Sequence, residues 1–140
     1  MVYFVMDLSR NEYNQMTQKI IGVAIEAHKL LGPGFLESVY HSAMKKLLDH
    51  YQIPFDTEKE IKIYLLDEVI STHRLDLVVY NSIVVELKAV EEISKVHIAQ
   101  VISYLKASGL KVGLILNFSK TKVQIRRINI YDILSNSYSR

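Results

Sequence analysis

Apolar residues recur at helical intervals along the first third of the chain. Met16, Ile20, Val23, Ala24, Ala27 and Leu31 fall on one face, and Ser9 followed by Glu12 has capping-box spacing, so a helix is expected over residues 10–31. Gly32-Pro33-Gly34 ends it. Phe35, Leu36, Val39, Ala43, Leu47 and Leu48 then make a second helical stripe that runs to Tyr51. After Ile53-Pro54 the period becomes two. Lys59, Ile61, Ile63 and Leu65 alternate with Glu58, Glu60, Lys62 and Tyr64, the beat of a strand with one wetter face over residues 57–66. A turn at Leu66-Asp67-Glu68 leads to a second strand over 69–79, and a short loop around Asn81 to a third over 83–89. Such short connections imply an antiparallel meander. Ser94 can cap a third helix, with Ile98, Val101, Ile102 and Leu105 buried and Gly109 stopping it. Residues 111–117 read as a buried strand and 122–130 as a more exposed one. A strand, helix, strand order after a meander implies a right-handed crossover and a mixed sheet.

The same alternation fixes a register. Leu75, Leu77 and Val79 should share one strand face, and Ile83, Val85 and Leu87 one face of the next. Both sets meet the same core only if Val79 pairs with Ile83 across a Tyr80-Asn81-Ser82 loop or a two-residue turn with a bulge; Asn81 tolerates the left-handed backbone such loops use. That register sets Asp76 opposite Glu86, with Lys88 one pleat away on their face.

Composition narrows the picture. The 140 residues suit one domain, 1–140, and 49% hydrophobic with 23% charged is ordinary for a globular chain. A net charge of +2 and a pI near 8.7 permit a nucleic-acid partner without demanding one. With no cysteine, disulfides, thiolate metal sites and cysteine catalysis are excluded, which suits a reducing cytoplasm. The opening MVYFVMD lacks the basic leader of a signal peptide, and no run reaches the roughly 18 apolar residues of a membrane helix. A cytoplasmic protein with no membrane partner is expected.

Charge inside apolar strands needs a partner, because an unpaired buried carboxylate costs several kcal/mol, on the order of a buried ion's desolvation. Two adjacent carboxylates raise each other's pKa unless a cation sits between them. Oxygen ligands favour Mg2+ or Mn2+ over zinc. The competing account has Lys88 or Arg74 neutralising Asp76 and Glu86 in a purely structural triad.

Asp76 followed by Glu86-Leu87-Lys88 resembles the signature of the PD-(D/E)XK nuclease superfamily, whose restriction-endonuclease-like core matches the expected element order. More narrowly, Gly34-Phe35-Leu36-Glu37-Ser38-Val39-Tyr40 has the pattern of the GxxExxY proteins, and VVELKAV, HIAQVISYLK and GLILNF are similar to theirs. Leu75 stands where the superfamily motif begins with proline. The resemblance implies a Mg2+-dependent phosphodiesterase in which Asp76, Glu86 and the Leu87 carbonyl hold the metal. Lys88 would polarise the attacking water or stabilise charge on the phosphorane.

It also implies roles further out. Glu37, in the first turn of the second helix, becomes an extra metal or water-shell ligand, although a glutamate there also suits the helix dipole. Tyr40, on the same face, holds Glu37, lines the cleft or packs. Gln100 and Tyr104 resemble the QxxxY motif of RecB-type nucleases, in which the glutamine orients the lysine or a water; a polar helix flank is the plainer account. His97 reads as a flank residue, and His28, His41, His50 and His73 show no ligand spacing. Arg126 and Arg127, with Lys111, Lys120 and Lys122, can meet phosphates or guard an edge strand against aggregation. The implied partner is nucleic acid, DNA ahead of RNA, and two copies can pair to cut two strands, though no stripe marks an interface. The alternative is a catalytically silent module that binds nucleic acid or a partner on the same fold.

Overall fold

The computed structural model describes residues 8–130; the apolar opening, residues 1–7, and the last ten residues lie outside it. Helices α1 (Arg10–Leu31) and α2 (Glu37–His50) precede strands β1 (Phe55–Leu65), β2 (Glu68–Val79) and β3 (Ile83–Lys88). Helix α3 (Lys95–Ser108) then crosses to β4 (Val112–Asn117), and β5 (Gln124–Asn129) follows. The strands form one sheet in the order β1-β2-β3-β4-β5, antiparallel except for the β3–β4 pair. This is the mixed sheet that the hydrophobic pattern predicts, with β1 and β5 as edges.

The helix starts are chemically explicit. Ser9 Oγ accepts the Glu12 amide at 3.2 Å, and the Glu12 carboxylate reaches back to the Ser9 amide. Ser94 does the same for α3, but His97 stands in for the usual glutamate: its Nδ1 accepts the Ser94 amide at 3.0 Å. The Gly109 stop adopts the left-handed conformation, φ 82°, as a C-terminal glycine should. Phe35 and Leu36 depart from the expected stripe. They lie before α2 and are exposed, 47% and 78%.

Helices α1 and α2 cover one face of the sheet, packing Ile20, Ala24, Tyr40 and Met44 on Leu77, Val85, Leu87 and Leu114. Helix α3 covers the other, packing Val101 and Leu105 on Val78, Val84 and Ile115. Helix and strand approach closely at Gly113, where an added Cβ would stand 2.7 Å from Val101 Cγ1. Two covered faces explain why β3 and β4 read as nearly unbroken apolar runs.

Both tight turns use left-handed residues. Leu66 and Asp67 (φ 49° and 64°) join β1 to β2, and Tyr80 and Asn81 (φ 56° and 54°) join β2 to β3. The second turn delivers Val79 opposite Ile83, the register the alternation requires. One detail differs. Leu75 packs with Ile61 and Val78 on the α3 face, whereas Leu77 and Val79 face α1 and α2. The strand therefore changes face at Asp76.

Candidate active site

Asp76 sits where two ladders let go. β2 and β3 pair as Val79–Ile83, Val78–Val84 and Leu77–Val85, and then stop. On the other side β1 pairs Thr57 with Leu77 and Lys59 with Leu75 but skips the step between, where Glu58 takes φ 55°. Main-chain groups freed in this way must find other partners, since an unsatisfied buried one costs about 1–3 kcal/mol. Side chains supply them. The Asp76 carbonyl accepts from His41 Nε2 at 3.1 Å and from Thr57 Oγ1 at 3.3 Å. The Asp76 amide donates to Glu86 Oε1 at 3.4 Å, and the Leu87 amide donates to Asp76 Oδ2 at 2.9 Å. Leu75 changes face at this same point in the strand. The exchange also brings the two carboxylates together.

Glu86 is buried, at 6% exposure, and burial first and the Asp76 charge second push its pKa up to about 8; the Asp76 amide and Lys88 pull the other way. Near neutral pH the pair thus keeps a proton that a divalent cation could replace. Lys88, half-buried at the end of β3, is close enough to act on Glu86, Glu37 and His73. Glu37 lies on the α2 side. Loss of hydration and the Asp76 charge raise its pKa, against the pull of Lys88 and His41. On the α3 side the rings of His73 and Tyr104 stack at 4.0 Å and 15°. Burial lowers the His73 pKa despite Asp76, and burial, then Glu86 and Asp76, raises that of Tyr104. Arg74 does not neutralise the carboxylates: it pairs with Glu60 across β1 and β2 at the surface, 3.5 Å away.

The chain leaving Lys88 is pinned. Asn117, fully buried, donates to the Val90 carbonyl (2.8 Å) and accepts the Val90 amide (3.0 Å). Gln124 Oε1 accepts from Asn117 and from the Ile93 amide, Gln124 Nε2 donates to Glu92, and Lys120 pairs with Glu92. With the Phe118 amide bound to the Lys88 carbonyl (2.9 Å), the end of β3 is held on a rigid support.

The structure thus gathers Asp76, Glu86, Lys88, Glu37 and Tyr104, with Leu87 tied to Asp76 through its amide. Gln100 is exposed, one helical turn before Tyr104 on the same face. Arg126 shares a row across the sheet with Ile115 and Glu86, two strand spacings or roughly 10 Å from Glu86. Two expected substrate contacts are placed otherwise. Tyr40 is fully buried, donating to the Gly32 carbonyl at 2.6 Å, accepting the Phe35 amide at 3.2 Å and stacking on Phe118 at 4.6 Å. It packs the α1–α2 corner, because its ring finds apolar cover there and its hydroxyl finds both partners. Arg127 is bound to Asn14, Thr17 and Asn129, which ties β5 to α1. His41 and His73, read as ordinary residues, prove to be at the site. His41 was detectable, four residues after Glu37 and so on its face.

The donor set, carboxylate oxygens without sulfur, fits a hard divalent cation. Among the described residues no group of three or more His, Cys, Asp or Glu side chains is placed to hold a metal ion. Nor do they include a helix long and apolar enough to cross a membrane.

No curated protein matches the chain. Among solved structures, the crystal structure of SSO0001 is similar in fold, with a TM-score of 0.52 at 16% identity over 81% of this chain and 77% of that one. The pattern of the PD-(D/E)XK nuclease superfamily matches residues 14–128, spanning α1 to β5 and every charged residue gathered around Asp76. The paired carboxylates, the lysine that follows them and the mixed sheet that carries them agree with that match: the chain belongs to the PD-(D/E)XK nuclease superfamily.

Proposed function

We propose that residues 1–140 form a single domain acting as a metal-dependent nuclease, which hydrolyses phosphodiester bonds of a nucleic acid, DNA ahead of RNA. The observation that carries this reading is the contact of two carboxylates inside a released strand pair, with Glu86 pushed up to about 8 and Lys88 two residues on. Asp76, Glu86 and the Leu87 carbonyl would hold Mg2+ or Mn2+, with Glu37 closing from α2. When bound, the ion supplies positive charge that offsets the phosphate and acidifies water. Lys88 places an ammonium beside the same carboxylates, where it stabilises charge that builds on phosphorus oxygens. Gln100 orients Lys88 or a water, Tyr104 with His73 walls the α3 side, and Arg126 offers a phosphate contact on the same row. The GxxExxY pattern from Gly34 to Tyr40 supports a narrower placement within the superfamily, and a cytoplasmic setting and pairing of two copies go with this reading.

A Mg2+ and Mn2+ cleavage screen on mixed DNA and RNA tests it, run beside folded Glu86→Ala and Lys88→Ala. Cleavage by the unaltered chain alone supports it; equal cleavage by both variants overturns it. A second reading is a catalytically silent binding module on the same fold, to which the mildly basic charge balance of +2 is suited. It predicts nucleic-acid binding that weakens steeply with salt and ignores chelator.

A further inference from the structure

Asp76 is held by more than its carboxylate. Its carbonyl has left the β1 and β3 ladders and is gripped from α2 by His41 and from β1 by Thr57. A carbonyl only accepts, so His41 Nε2 carries the hydrogen, and the same nitrogen lies 3.3 Å from Thr57 Oγ1. The other end of the residue is fixed by the Leu87 amide on Oδ2. His41 stands one turn after Glu37 on α2, so one helix face presents an acidic group to the site and clamps the main chain behind it.

We propose that His41, with Thr57, is a positioning residue that holds the Asp76 main chain out of both ladders and thereby sets the Asp76 carboxylate against the Leu87 amide and beside Glu86. Without the clamp, the freed carbonyl turns back toward β1, the peptide rotates, and the carboxylate moves off Leu87. Its consequence for metal binding rests on the nuclease reading above; its consequence for Leu87 does not.

The test uses the full chain, with amide hydrogen exchange and Mn2+ calorimetry on His41→Leu, His41→Gln and Thr57→Val. In His41→Leu the Leu87 amide should exchange about tenfold faster or more, while the Val112 to Leu116 amides hold their rates. Mn2+ binding should weaken by about 10–100-fold, the range seen when a group supporting a metal ligand is lost. His41→Gln, whose amide nitrogen can still donate, should restore both readouts, and a residue acting by bulk alone would not be rescued in this way. Thr57→Val should show the same changes to a smaller extent, and it carries the test if His41→Leu does not fold. Unchanged Leu87 exchange in the folded variants overturns the clamp. If the unaltered chain binds no Mn2+ while Leu87 responds as expected, the clamp stands and the nuclease reading falls.

Discussion

The two halves of β3 obey different rules. Ile83, Val84 and Val85 are fully buried and paired on both sides, to β2 and to β4. Glu86, Leu87 and Lys88 keep only the β4 ladder; their other side faces Asp76, where side chains have replaced main-chain partners. Six consecutive residues thus divide into a stretch that holds the sheet and a stretch that the sheet holds open. Charge is tolerated in the second because the freed amides and the missing strand contact leave room for it. If the division is real, damage to one half should spare the function of the other.

The largest effect is expected in the open half. Removing Lys88 or Glu86 as alanine should lower cleavage by about a hundredfold to a thousandfold or more, roughly 3–4 kcal/mol of transition-state stabilisation. Circular dichroism and the thermal midpoint should show a folded chain. In the closed half, Leu114→Ala, in the strand next to Val85, should cost about 3 kcal/mol of stability, because Leu114 is fully buried between β3 and the α1–α2 layer. Urea unfolding measures that loss, and the fraction still folded should cut at its normal rate. A stable but inactive Leu114→Ala would break the comparison.

Specific to the open half of β3 is a dependence on pH. Folded Glu86 keeps its proton up to about 8, against an ordinary value of 4.5. Between those values the folded chain binds more protons than the unfolded chain, so this contribution is fully present below 4.5 and is lost as pH rises towards 8, at up to about 1.4 kcal/mol per unit. Glu37 shifts in the same direction. Glu86→Gln keeps the shape and removes the ionisation, so its gain in thermal midpoint over the unaltered chain should be greater at pH 8 than at pH 5. A parallel offset at both pH values would mean that burial and Asp76 do not govern Glu86. Mg2+ should narrow the pH 8 gap by offsetting the second charge.

Much of this was written in the hydrophobic period. Alternation placed Val79 against Ile83 and pointed to Asp76 beside Glu86, which meet through side-chain bonds rather than as a ladder pair, and two-sided burial showed as unbroken apolar runs in β3 and β4. What alternation could not show is where it stops. The face change at Asp76 falls where His41 and Thr57, residues 35 and 19 positions away, donate to its carbonyl, and a main-chain acceptor leaves no mark in a residue pattern. For the same reason His73 looked unremarkable, since its role appears only once α3 lays Tyr104 across it. Tyr40 shows the converse, since of the roles its position allowed the structure takes packing. A motif position invited a role at the site, while the ring's partners, Gly32, Phe35 and Phe118, lie in the corner behind it.

Tyr40 also gives the smallest and most discriminating test of the division. Tyr40→Phe keeps the stack on Phe118 and deletes two hydrogen bonds, the donation to Gly32 and the acceptance from Phe35. The loss should be about 1–2 kcal/mol, because the part-buried Gly32 carbonyl is left without its donor while the exposed Phe35 can turn its amide to water. Glu37 begins the helix that contains Tyr40, so a loosened corner acts on the site only through α2. Denaturation should therefore show the full stability loss, with KM for nucleic acid unchanged and kcat within about twofold, a change worth less than RT. A rise in KM without loss of stability would put Tyr40 in contact with substrate and extend the open region from β3 to α2.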